Sequence, residues 1–64
     1  MEERLRAFEK MLRDIQARYT DTTDKMARLK RQGKEKTVTY RQLMSARLTD
    51  RNILAIYRVY GLLD

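Results

Sequence analysis

Sixty-four residues bound the chain to a single domain, and a domain this short buries only about 60% of its unfolded surface. It has no cysteine and no histidine, so disulfides and the usual transition-metal ligands are both excluded. Oligomerisation or docking is left as the source of extra stability, and a net charge of +6 from 15 basic and 9 acidic residues favours contact with polyanions.

The first element is announced by a heptad. Leu5, Phe8, Leu12, Ile15, Tyr19, Met26 and Leu29 fall at alternating steps of three and four, with Thr22 on the same seam and Met1 one position upstream. The spacing predicts one long helix over about residues 2–32, roughly 45 Å in length. Thr20, Asp21, Thr22, Thr23 and Asp24 are weak helix formers and offer an alternative break. The heptad phase crosses them without a slip, so a continuous helix is expected. Its flanks read Arg4, Met11, Arg18 and Lys25 on one side and Glu9, Gln16, Thr23 and Lys30 on the other. Neither a parallel nor an antiparallel zipper pairs these well, so the seam is expected to be partly covered by the rest of the chain.

Gly33 follows Lys30 and Arg31, cations suited to a helix C-terminus, and marks the stop. Residues 34–38 read as a polar connector. Two short helices are then expected, over about 40–47 and 50–60. Thr39 stands three residues before Gln42, with Val38 and Leu43 as the flanking staple, and Thr49 precedes Asp50, Arg51 and Asn52 between Leu48 and Ile53. Gly61 closes the last helix, with Leu62 placed to fold back on Ile56 or Tyr57. The fold class is therefore all-α: one long heptad-patterned helix followed by two short helices packed against it.

Helices of those lengths cover only half to two-thirds of a 30-residue stripe. The surplus defines an expected protein interface of Leu5, Phe8, Met11, Leu12, Ile15 and Tyr19. A second candidate is basic. Between Lys25 and Lys36 lie six basic residues, Lys25, Arg28, Lys30, Arg31, Lys34 and Lys36, against Glu35 alone. Such a cluster suits phosphates, although cations near a helix C-terminus also answer its dipole.

The stretch from Thr39 to Leu63 resembles a helix-turn-helix in outline, and its ending Tyr60-Gly61-Leu62-Leu63 resembles the close of a winged-helix recognition helix. That resemblance implies a DNA-binding unit with Arg51 and Asn52, beside Asp50, meeting base edges from the second helix. Tyr19, Tyr40, Tyr57 and Tyr60 offer stacking surfaces, but their phase with apolar neighbours assigns most of them to packing.

Catalysis finds no constellation. Ser45 and the threonines have no imidazole beside them, the pairs Asp21/Asp24 and Glu2/Glu3 lack further ligands, and two glycines make no phosphate loop. The expectation is no enzyme, no cofactor, no metal and no small-molecule substrate. Ile53 to Tyr57 is the longest apolar run, too short for a membrane span, and the setting expected is cytoplasmic. The function read from the chain is a non-catalytic association module, an adaptor or protein inhibitor. It would be dimeric or bound to a macromolecular target, and the alternative is a small helix-turn-helix DNA-binding regulator.

Overall fold

The heptad phase does carry one helix across the threonine-rich middle. In the computed structural model, which describes residues 1–63, α1 runs from Glu2 to Arg31 and α2 from Val38 to Val59. Thr23 is accommodated inside α1 because its hydroxyl donates to the Tyr19 carbonyl at 2.8 Å. Glu2 and Glu3 in the first turn and Arg28, Lys30 and Arg31 in the last answer the dipole at each end. Exposed pairs one turn apart (Arg6 to Glu2, Lys10 to Asp14, Lys25 to Asp21) add a few tenths of a kcal/mol each.

Both helices end in the same way. Gly33 takes a φ of 71° and its N–H donates to the Lys30 carbonyl, while Lys34 donates to Leu29 at 2.8 Å. Gly61, at φ 72°, donates to Arg58, and Leu62 donates to Tyr57 at 2.9 Å. These are paired Schellman closures, which need a left-handed residue after the last helical turn.

The two short helices expected over 40–47 and 50–60 are one helix of 22 residues. Neither Thr39 nor Thr49 is a cap. The N-cap is Thr37, whose hydroxyl oxygen accepts from the Tyr40 N–H at 3.2 Å and donates to the Lys34 carbonyl at 2.7 Å. Thr49 lies mid-helix and donates back to the Ser45 carbonyl at 3.2 Å. The physical reason is a second heptad. Tyr40, Leu43, Arg47, Asp50, Leu54 and Tyr57 follow steps of three and four, and all are buried or half-buried. A break at residue 48 would throw that seam out of phase, so packing against α1 outweighs a local capping signal.

The helices lie antiparallel, as the cross-contacts Phe8 with Tyr57 and Arg18 with Asp50 require. The result is a hairpin measuring 47 × 21 × 17 Å. Its core is Ile15, Leu54 and Tyr57, with Leu12, Tyr19, Ile53 and Leu63 packed against it. Met26 is buried further toward the turn, and Thr22 is buried on the seam beside it. At about 33 Å, α2 is shorter than α1, and Met1 and Leu5 at the open end remain exposed.

Candidate interaction surfaces

The expected interface divides in two. Ile15 is only 6% exposed, and Leu12 and Tyr19 pack beside it, so these three belong to the hairpin's own core. Leu5, Phe8 and Met11 stay exposed. The side chains that complete an apolar surface with them come from α2 and its closing turn, a contribution that the α1 stripe alone does not reveal. Phe8, Ile53, Ile56, Tyr57, Tyr60 and Leu62 line one groove, and Ile53 joins it to a second one holding Ala7 and Met11. Ile56 is 58% and Tyr60 75% exposed, and Val59 extends the surface. A signal exists in the sequence: Ile53, Ile56 and Tyr60 repeat at steps of three and four, one position off the seam.

Within the apolar groove the rings of Phe8 and Tyr57 sit 5.2 Å apart at 57°. That tilted arrangement sets the edge of one ring toward the other's π-system. The Tyr57 hydroxyl is buried without a hydrogen-bond partner, a local cost accepted for ring packing.

Polar chemistry inside the hairpin is concentrated at Asp50, which is 2% exposed. Its two oxygens accept from the Arg18 guanidinium at 2.9 and 2.6 Å, a two-pronged pair across the helices. The hydrogen bond from Arg18 holds the Asp50 carboxyl below the usual carboxylate range, against burial, which pushes it up. The same bond raises the Arg18 guanidinium, whose own side chain stays largely in solvent. Asp50 is therefore not the first-turn residue facing DNA that the capping pattern predicts. Its phase with Leu43, Leu54 and Tyr57 is the available sign that it faces α1 instead.

That placement corrects the helix-turn-helix outline. There is no turn at Leu48 and Thr49, and Asp50, Arg51 and Asn52 lie in the middle of α2, with Asp50 inward and the other two outward. A recognition helix that presents its N-terminal residues to a groove is therefore not formed by this segment. Lys25, Arg28, Lys30, Arg31, Lys34 and Lys36 are all exposed at the closed end of the hairpin. Among the described residues, no group of three acidic side chains is gathered where it could hold a metal ion, and no helix is long and apolar enough to cross a membrane.

The chain matches no protein-family model, and no curated protein and no solved structure matches it. A functional reading therefore stands on these surfaces alone.

Proposed function

We propose that this chain is a non-catalytic association module, and that two copies join through the apolar face at the open end of the hairpin. The observation that carries the reading is an imbalance. Among the described residues four apolar side chains are buried, while eleven large ones are exposed. Eight of those eleven (Met1, Leu5, Phe8, Met11, Ile56, Val59, Tyr60 and Leu62) belong to the open half. Two helices with so small a core are marginal alone, and pairing two hairpins makes a four-helix bundle that covers the exposed face.

Charge chooses the arrangement. Residues 1–24 carry five basic and six acidic side chains and residues 42–64 three and two, so the open halves are nearly neutral and meet without repulsion. A parallel overlay would stack two strongly basic turns. An antiparallel, two-fold overlap of the open halves keeps them at opposite ends of the assembly. The absence of cysteine fits a cytoplasmic setting for this module.

Sedimentation across 1 to 200 micromolar protein tests the proposal. Wild-type chain is expected to dimerise, with a melting temperature that rises with concentration. Phe8→Glu together with Ile56→Glu should shift the dissociation constant at least 100-fold toward monomer, since both remove apolar contact and bury charge. A wild-type chain that stays monomeric at 200 micromolar would overturn the reading.

A further inference from the structure

The whole net charge of the molecule sits at the closed end. Residues 25–41 hold seven basic side chains and one acidic one, which equals the +6 of the entire chain. Lys25 has a carboxylate nearby, Asp21 at 3.0 Å. Arg28, Lys30, Arg31, Lys34, Lys36 and Arg41 are exposed, and no ion pair forms on them among the described residues.

The helix dipole accounts for only half of these. Arg28, Lys30 and Arg31 lie in the last turn of α1, where cations are favoured. Lys34 and Lys36 precede α2 and Arg41 lies in its first turn, which contains no acid. There the positive end of the helix disfavours cations, and the seven also repel one another. These charges work against the fold that carries them, and an anion bound among them would offset the repulsion.

We propose that the closed end binds the phosphate backbone of double-stranded nucleic acid, without reading its sequence. The cations are held on two helix ends joined by a hydrogen-bonded turn, so their spacing is fixed rather than diffuse. Lys25 to Arg31 alone spans about 9 Å, a length of duplex axis that carries about five phosphate charges. The composition of this end separates the duplex from other polyanions. Ala27 and Val38 are its only exposed apolar side chains, too little to insert into a lipid surface. Its one aromatic, Tyr40, is half-buried on the seam, so no platform is offered for stacking unpaired bases. The inference goes beyond self-association and does not require it, although an antiparallel dimer would carry one such end at each extremity.

The test is fluorescence anisotropy of a labelled 20-base-pair duplex titrated with the full chain between 50 and 200 millimolar salt. Binding should weaken with a log–log salt slope of up to about −5, as expected for six cations displacing condensed counterions. The triple variant Lys34→Gln, Lys36→Gln, Arg41→Gln should flatten that slope by two to three units. Its melting temperature should hold or rise, because the replaced cations sit at an unfavourable helix end. Arg4→Gln, Lys10→Gln and Arg13→Gln together, near the open end, should leave the slope within one unit of wild type. A scrambled duplex should bind equally well. The proposal is overturned by no duplex binding at 50 millimolar salt, or by binding that the closed-end triple leaves unchanged. Tighter capture by vesicles containing 30% phosphatidylserine, or by polyglutamate, than by duplex would overturn it too. Sedimentation of the same samples reads self-association separately, so the failure of either idea leaves the other standing.

Discussion

At the closed end of the hairpin the seam holds buried Met26 with half-buried Leu29, Tyr40 and Leu43, and lysine and arginine are the commonest side chains facing water. At the open end the same seam holds Phe8, Ile15, Leu54 and Tyr57, yet the flanking positions carry Met11, Ile53, Ile56 and Tyr60. The packing between α1 and α2 is thus built on one heptad throughout. Residues one position off that heptad make the two ends different objects. A seam decides whether two helices of a chain stay together, and its flanks decide what the pair then meets. Charge at one end opposes the approach of any like-charged surface, and the other end leaves apolar surface in water.

The Arg18–Asp50 pair sits between the two ends, and breaking it should have the largest effect. Removing Arg18 leaves a buried carboxylate with no counter-charge, the more damaging way to dismantle such a pair. Arg18→Gln is expected to lower the urea midpoint more than loss of a helix cap or of either closing glycine, and Asp50→Leu in that background should recover much of the loss. The pH dependence has a definite sign. Asp50 is held below its ordinary value in the folded chain. Its stabilising contribution is therefore complete above about pH 4, and it disappears as pH falls through the lower folded value. Thermal melts between pH 7 and pH 2 should show a steeper acid loss in wild type than in Arg18→Gln. Equal acid losses would mean that the pair does not hold the helices.

Next come the turn residues, which sharpen the contrast between ends. Gly33→Ala forces a side chain into a left-handed conformation and should cost about 1 kcal/mol through backbone strain alone, since a Cβ there meets nothing within 4 Å. Gly61→Ala should cost a similar amount, because its φ of 72° and open surroundings match those of Gly33. Thr37→Ala removes the N-cap of α2 and should cost about 1 kcal/mol, whereas Thr39→Ala and Thr49→Ala should each stay within about 0.5 kcal/mol. Chemical denaturation of the set separates a continuous α2 from a broken one, for a break at residue 48 would make Thr49 as costly as Thr37.

The smallest effect is expected at Tyr57. Its buried hydroxyl has no partner, so Tyr57→Phe should be neutral or stabilise by a few tenths of a kcal/mol. A loss above 1 kcal/mol in the same assay would show that the hydroxyl is satisfied in solution.

Much of α1 was legible because its seam is almost wholly apolar and its stop is a glycine flanked by cations. The single α2 was not, because Arg47 and Asp50 occupy two successive seam positions and disguise the heptad as a polar gap. Thr39 and Thr49, each followed by a side chain able to complete a cap, then supplied plausible but unused helix starts. Such motifs are local, and the pairing of Asp50 with a residue 32 positions away is not. The apolar surface was half legible for the same reason. The stripe on α1 could be read, but which of its members α2 would cover depended on where α2 begins. Clustering of the basic residues was plain in the sequence. Their crowding at the start of α2, where the dipole opposes them, emerges only once that helix is traced from Val38.

The buried carboxylate also fixes alignment along the rod. Sliding α2 by one heptad moves it about 10 Å along α1. In one direction Asp50 would then face Met11, an apolar neighbour that leaves the charge stranded. In the other it would face Lys25, already engaged by Asp21, while Tyr57 would leave Phe8 behind. The turn from Gln32 to Thr37, tied down by its own hydrogen bonds, has no slack to take up either shift. One aspartate in an otherwise repetitive seam thus works as a notch, admitting a single register where an all-leucine hairpin would accept several.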